Sequence, residues 1–490
     1  MADEPKVRAR QGGRGLSRRS VLAGATAGAL AGTGFMSAGS AIAQAPKARG
    51  GRTLLKNGVV LSLDPKVGDF DRADVLIEGR RIVAVRPNIE ANATVIDASN
   101  TIVMPGFIDT HHHYYQSALR NVLGNGLLAD YFRDIVNKAT PLYRAEDAYI
   151  GVLSGAVRSL SAGITSFADL SQVSNTPEHS DAMLRALKES GARAIYAYNR
   201  GYGDGAKYPQ DVERIQKQHF ASADQLVTLA MATGITKDQW LLARKHGLRI
   251  YTHVVGSVSA VAPAAVMKLG DEGLMGPDNV YIHYTGANAA QMKRVKDTGG
   301  WLSLAVPIEM TMRHGMPPLQ LALDHGILPS LSSDVETTMA ADMFSQMRAA
   351  FTLQRAEINE RAIKGEKDLP KLLTARDVVA MATIEGARTN GQESRTGSLT
   401  PGKEADIVLL RTDTTNVMPL NNAYGAIVTG MDTSNVDTVM VAGRIVKQRG
   451  RLVGVDLAAH RRRITASRDY LVDKAGWPKS VVDGSGQSGR

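Results

Sequence analysis

Three consecutive histidines stand in "MPGFIDTHHHYYQSALR", residues 104–120, in a chain with only 11 histidines among 490 residues. They follow an apolar run and an aspartate, at the expected end of a strand. Side chains alternate along a strand, so His111 and His113 share one side and His112 takes the other. Two imidazoles on one side can grip a cation, whereas His112 is expected to pack outward against a helix. Three more such residues end apolar runs: His253 in "RIYTHVV", His283 in "VYIHYTG" and Asp334 in "PSLSSDV". Neutral imidazoles with a carboxylate are a donor set for zinc or iron, and an incomplete protein shell leaves room for a reactive water. The chain has no cysteine, which excludes disulfides, thiolate ligands and a thiol nucleophile.

These residues need a scaffold that brings strand ends together. From about 106 to 390, eight β-like runs alternate with helical segments: "IVMPGFID", "GITSFADL", "ARAIYAYN", "QLVTLAMA", "LRIYTHVV", "NVYIHYTG", "GWLSLAVP" and "ILPSLSSD". Eight β–α units in that length predict a (β/α)8, TIM-like barrel, in which catalytic groups sit at the C-terminal strand ends. An open doubly wound sheet would want a glycine-rich phosphate turn after its first strand, and here that strand ends in histidines. Both flanks are β-rich with hairpin punctuation such as Asn57-Gly58 and Glu78-Gly79, so a small β-sandwich domain built from both termini is expected. The expected division is a leader at 1–45, a composite β domain from 50–104 and 392–455, a barrel over 105–391, and a C-terminal helix and tail over 456–490.

Here the chain resembles the amidohydrolase superfamily, over nearly all of residues 52–455. The motif "PGFIDTHxH" stands as Pro105 to His113, and Gln116 with Arg120 resembles the "HxHxxQ...R" of the cytosine-deaminase and triazine-hydrolase branch. "SSDVETTMAADMFSQMR" and "ATIEGAR...GSLTPGKEADIVLL" resemble that branch's eighth-strand segment and its return into the β domain. The resemblance implies one divalent metal, zinc or iron, held by His111, His113, His253 and Asp334. It also implies that His283 faces the substrate and polarises the bond under attack. Asp334 would take a proton from the activated water and pass it to the leaving group. The two-metal branches use a carboxylated lysine on the fourth strand, and "QLVTLAMAT" (225–233) has none. Deaminases of the branch carry a glutamate three residues after the fifth-strand histidine, but His253 is followed by Val254-Val255-Gly256. Glu309 in "AVPIEMTMRHG" is the candidate replacement as catalytic proton carrier, with Glu336 as a second. Gln116 and Tyr114 are candidate substrate contacts, and Tyr115 and Met310 candidate pocket walls.

These features predict a metal-dependent hydrolase of a non-peptide C–N bond in a small cyclic or aromatic amide, urea, carbamate or amidine-like molecule. The alternatives are an aminohydrolase or dechlorinase of an N-heteroaromatic ring and, from another class, a non-catalytic barrel that binds a small molecule. Composition excludes disordered and fibrous classes: 43% of residues are hydrophobic and 22% charged. The net charge is +10, but the first 43 residues carry six basic and two acidic side chains, leaving about +6. No basic run or aromatic-interleaved stripe follows, so nucleic-acid binding is not expected. The front of the chain, with Arg18-Arg19 before the uncharged stretch Ser20 to Ala45 and a small-residue site at Ala41-Ile42-Ala43, reads as a twin-arginine export signal. That predicts a periplasmic protein with no stable membrane association once the signal is removed. A homo-oligomer is compatible with the surfaces of the β domain and the barrel flanks.

Overall fold

The computed structural model describes residues 51–222, 224–256 and 261–481; the arginine pair, the expected cleavage site and the last nine residues lie outside the described residues. The first strands are β1 (Arg52–Leu61), β2 (Asp69–Glu78), β3 (Arg81–Arg86), β4 (Thr94–Asp97) and β5 (Thr101–Pro105). The middle of the chain supplies β6 (Phe107–His112), β7 (Ile164–Asp169), β8 (Arg193–Tyr198), β9 (Val227–Thr233), β10 (Ile250–Val255), β11 (Asn279–Thr285), β12 (Trp301–Leu304) and β13 (Ser330–Leu331). The return path adds β14 (Ile407–Arg411), β15 (Val436–Val441), β16 (Arg444–Gln448) and β17 (Arg451–Leu452).

Strands β6 to β13 pair in parallel and in chain order, and the two ends of that sheet meet through a bridge between His112 and Asp334. This is the expected (β/α)8, TIM-like barrel, nearly closed. Its strands are covered on both faces, which is why they read as continuous apolar runs. Every residue of β7 and β8 is buried. Ala168, Ile195, Ala197, Ala230 and Ile282 belong to an inner cluster, while Tyr281 packs outward on Trp240 of the helix Lys237–Lys245.

The remaining nine strands form one mixed sheet, in the order β17-β16-β15-β14-β5-β1-β2-β3 with β4 beside β1. It is built from both ends of the chain, as expected. It curls around its own core, with Arg81 bridging to Glu404 and Leu55, Val75, Ile82, Ile407 and Met440 packed inside. The run "IVMPGFID" is two strands rather than one. β5 pairs with β14 in this sheet, and β6 enters the barrel. Gly106 makes the switch: a Cβ there would lie 2.2 Å from the Thr165 side chain, so only glycine passes.

One buried guanidinium ties the two sheets together. Arg193, at the start of β8, donates from Nε to Asp406 Oδ2 at 2.7 Å and from Nη2 to Glu404 Oε2 at 2.6 Å. Arg80 and Arg395 reach Glu404 Oε1, both at 2.9 Å, and these cations hold the Glu404 carboxyl well below the usual range despite burial. The charged stretch 355–369 lies at the end of a long helix. Most of it completes the helix Met343–Ile363, whose Phe344, Met347, Ala350 and Ile358 are buried. The helix Leu457–Lys474 follows β17, with Asp456 capping its first turn through the Ala458 and Ala459 N–H groups.

Candidate metal and catalytic site

Four of the five histidine and aspartate positions at strand ends converge tightly. His111 Nε2 lies 3.2 Å from His113 Nε2 and 3.0 Å from His253 Nε2. Asp334 Oδ1 lies 3.6 Å from Nε2 of both His111 and His113. Residues from the first, fifth and eighth barrel strands thus aim donors at one point. The β6–β7 pairing slips between Asp109 and His112, and there the chain turns His111 and His113 inward. His112 turns away, its Nδ1 at 2.9 Å from Ser333 Oγ and its ring against Tyr114.

The fifth residue, His283, reaches the site by backbone strain. Ile282 faces the barrel interior and Tyr281 the helices, so strict alternation would send His283 outward. Its φ of 67° lies in the left-handed region, as do Tyr284 at 49° and Asp334 at 56°. Such strain in non-glycine residues costs about 1–3 kcal/mol each and gathers at functional sites. The turned imidazole places Nε2 3.6 Å from Asp334 Oδ2.

The electrostatics suit a cation. Burial, reinforced by the neighbouring imidazoles, holds His111 and His253 far below the ordinary histidine range, and burial brings His113 down to about 4. All three are neutral at pH 7, the form that ligates. His113 Nδ1 is fixed by the Leu170 carbonyl at 3.0 Å, which leaves Nε2 for the site. Burial, with Glu309 and Asp109 nearby, pushes Asp334 far above the carboxylate range. A buried carboxylate facing neutral imidazole nitrogens lacks the positive charge that would stabilise it, and a divalent ion supplies that charge.

The cluster forms the floor of a cavity of about 360 Å³. Tyr131, Phe132 and Met312 give it apolar walls, and Gln172, Asn199, Arg200 and Thr233 line its polar side. Asp334 is the only carboxylate on its lining among the described residues. His314 lines it as well, edge-on to His283 at 4.7 Å between ring centroids.

Several expected contacts lie elsewhere. Glu309 is buried behind His283, where its Oε1 accepts from His283 Nδ1 at 3.0 Å and from the Ala305 N–H at 2.8 Å. Burial pushes its carboxyl up to about 8. It therefore orients His283 and does not reach the cavity as a proton carrier. Glu336 points the other way, bound by Ser117 and by Arg120 at 2.6 Å, with Arg158 at 3.6 Å; these cations hold it well below its ordinary range. Tyr114 is no substrate contact: its ring stacks on Phe167 and its hydroxyl meets Ser159 at 2.8 Å. Tyr115 is likewise buried, against Thr140, while Met310 is exposed outside the cavity lining. Gln116 sits one step back and donates to the hydroxyl of Tyr131 at 2.6 Å, so it acts on the cavity through that wall. The reason is local: after His113 the chain enters a short 3-10 helix, Tyr114–Leu119, packed against the helix Ala145–Ser161. Gly151 permits the approach, since a Cβ there would fall 2.2 Å from the Tyr115 carbonyl oxygen.

His314, Asn199 and Arg200 were not legible as site residues. They sit in loops after the seventh and third barrel strands, and only the scarcity of histidine marked His314 out.

Comparison with known proteins finds relatives across most of the chain. The chain is 27% identical over 423 residues to a 5'-deoxyadenosine deaminase of Methanothermobacter thermautotrophicus, covering 81% of this chain and 95% of that one. It is also 27% identical over 430 residues to a 5-methylthioadenosine/S-adenosylhomocysteine deaminase of Carboxydothermus hydrogenoformans, covering 82% and 94%. These relatives move the likeness from cytosine deaminase toward adenosine-type deaminases. Among solved structures, an adenosine deaminase of Xanthomonas campestris with bound zinc superposes with a TM-score of 0.76 at 20% identity, covering 86% of this chain and 98% of that one. The atrazine chlorohydrolase of Arthrobacter aurescens complexed with zinc gives 0.75 at 21%, covering 85% and 100%. The amidohydrolase family model matches residues 102–446, from β5 through the whole barrel to β16, and the chain belongs to that family.

Proposed function

We propose that the protein is a metal-dependent hydrolase of a non-peptide C–N bond in a small cyclic or aromatic amide, urea, carbamate or amidine-like molecule. One observation carries the reading: three neutral imidazoles and one carboxylate converge on the floor of a cavity of about 360 Å³. His111, His113, His253 and Asp334 would hold one divalent ion, with zinc favoured by the bound zinc of the Xanthomonas and Arthrobacter structures. When bound, that ion supplies Lewis acidity and brings the pKa of water toward neutrality. Asp334 is placed to take the proton of the attacking water and return it to the departing nitrogen. His283, anchored through Nδ1 by Glu309, turns Nε2 into the cavity toward the substrate and the attacking water. Tyr131, Phe132 and Met312 give the cavity an apolar side on which the flat face of a ring would lie.

The second reading, an aminohydrolase or dechlorinase of an N-heteroaromatic ring, is favoured by the adenosine-type deaminase relatives. It is weakened by the cavity lining. No carboxylate follows His253 to carry a proton to a ring nitrogen, and Glu309 is spent on His283. The deciding experiment incubates zinc-loaded protein with two panels, cyclic amides and ureas on one side, aminopurines and amino- or chlorotriazines on the other. Ring opening in the first panel supports the reading; ammonia or chloride release confined to the second overturns it.

The leader suggests export of the folded, metal-loaded protein by the twin-arginine route. Fractionation of cells expressing the full chain, with Arg18 and Arg19 changed to Lys as the control, tests that. Among the described residues no helix is long and apolar enough to cross a membrane.

A further inference from the structure

His314 lines the cavity but takes no part in the proposed hydrolysis. It follows the seventh barrel strand in a loop, yet only 3% of it is exposed. A strained turn delivers it, with Arg313 at φ 60° before it and Gly315 at φ 111° after it. Left-handed backbone at a non-glycine residue is costly and gathers at functional sites. One residue organises two imidazoles here. The Glu309 carboxylate holds His283 Nδ1 at 3.0 Å, and the Glu309 carbonyl accepts the His314 backbone N–H at 3.1 Å. The two rings meet edge-on, 4.7 Å between centroids. His283 also groups with His111 and His253, their donor atoms within 4.8 Å of one another. His314 thus stands one imidazole out from that pair, beside the place where the scissile bond would lie.

Burial, with His283 alongside, brings His314 down to about 2, so its ring is neutral and carries one N–H donor and one acceptor. The rest of the polar lining is rich in donors and short of acceptors. Arg200 only donates. Asn199 Oδ1 is taken by the Arg200 backbone N–H at 2.8 Å, and Thr233 Oγ1 lies 3.0 Å from Thr252 Oγ1. The Asp334 oxygens face imidazoles. An amino-substituted ring would bring more N–H groups than this lining can take up, whereas a second carbonyl brings an acceptor for a waiting donor. We propose that His314 is a specificity-determining residue, whose ring N–H donates to a second carbonyl of the substrate across the scissile nitrogen from the one attacked. This rests on the reading of the site as a C–N hydrolase and names a feature its substrate carries. The scissile carbonyl then lies over the floor cluster, the ring N–H faces the accepting Nε2 of His283, and the second carbonyl meets His314. Cyclic imides and their urea-containing analogues present that row of three groups; simple lactams lack the third.

The test compares rings that differ by one carbonyl: glutarimide with δ-valerolactam, succinimide with γ-butyrolactam, and hydantoin with ethyleneurea. Values of kcat and KM are measured on zinc-loaded protein for both members of each pair. Imides are intrinsically the more reactive, so the readout is the change that a variant makes in the selectivity. His314→Phe fills the space without a donor and should lower the dicarbonyl-to-monocarbonyl ratio of kcat/KM by about 10- to 100-fold. His314→Gln keeps a donor and should retain most of the ratio; His314→Ala carries the expectation of His314→Phe should the latter not fold. Both members of a pair falling alike in His314→Phe marks a merely structural role and overturns this inference, while the hydrolase reading stands. Loss of zinc from that variant, read by plasma mass spectrometry, also overturns it, since His314 would then serve the metal. Unmutated protein that opens only the monocarbonyl rings overturns it alone. Hydrolysis of no ring in either set overturns the hydrolase reading and this inference with it.

Discussion

Glu309 offers the sharpest division between two roles for one residue. Its Oε1 accepts both the His283 Nδ1–H and the Ala305 N–H, and its Oε2 is buried with no protein partner. Glu309→Gln keeps an acceptor at the Oε1 position, so the His283 tautomer and ring orientation survive. The cost is an unpartnered amide N–H, about 1–2 kcal/mol of stability. Glu309→Ala removes the acceptor and strands two buried donors, about 1–3 kcal/mol each. Loss of a partner behind a site histidine typically lowers activity or metal affinity by about 10- to 100-fold. A residue that positions His283 therefore predicts a fall of less than about tenfold in kcat for Gln and about 10- to 100-fold for Ala. A residue that carries the proton predicts about 10²- to 10⁴-fold for either change, because the amide cannot transfer one. Steady-state kinetics on zinc-loaded variants, with metal content measured in parallel, separates the two. Equal loss in Gln and Ala would refute the positioning argument.

Other expectations follow from the same geometry. His253→Ala and Asp334→Ala should each lose the tightly bound metal and measurable turnover, read by plasma mass spectrometry and by assay. Arg193→Met leaves Glu404 and Asp406 buried without their shared cation and should cost about 3–5 kcal/mol in denaturant unfolding. A change under about 1 kcal/mol would show that the joint between the sheets does not depend on it. The metal-free protein should be most stable near pH 6–7. Below about 6.5 the unfolded histidines bind protons that the buried ones refuse, so stability falls as pH falls. Above it, the folded state holds protons on Glu309, up to about 8, and on Asp334, which the unfolded chain has already released. Stability therefore falls again toward pH 8, by up to about 1.4 kcal/mol per unit for each such group. Saturating zinc should flatten the alkaline side, and a melting temperature still rising from pH 6.5 to 8 without metal would contradict this account.

The barrel and the convergence of His111, His113, His253 and Asp334 were legible because each rests on a local signal: an apolar run, then a ligand-type residue at its end. His283 was placed at the right strand end, although alternation alone would have turned it toward the helices; a left-handed φ is not written in composition. Glu309 and Glu336 were both visible as carboxylates near strand ends. Their opposite surroundings, an imidazole for one and two guanidinium groups for the other, come from segments distant in the chain. Tyr114 was misplaced because the strand stops at His112 and a tight helix begins, which lays the Tyr114 ring on Phe167 and not along the cavity. His314 required a turn whose direction only the folded chain reveals.

The seam of the barrel has a consequence for how the protein matures. The Asp334 N–H donates to the His111 carbonyl and the His113 N–H to the Asp334 carbonyl, at 3.0 and 2.9 Å, so the latch that shuts the cylinder is made by the same residues that cluster at its centre. Residue 334 leaves the ribosome more than two hundred residues after residue 113. A nascent chain can offer a cation two imidazoles early, but no carboxylate joins them until that last staple docks. An ion held by the cluster would therefore enter a polypeptide whose cylinder is already shut, and once bound it would resist the reopening of the seam.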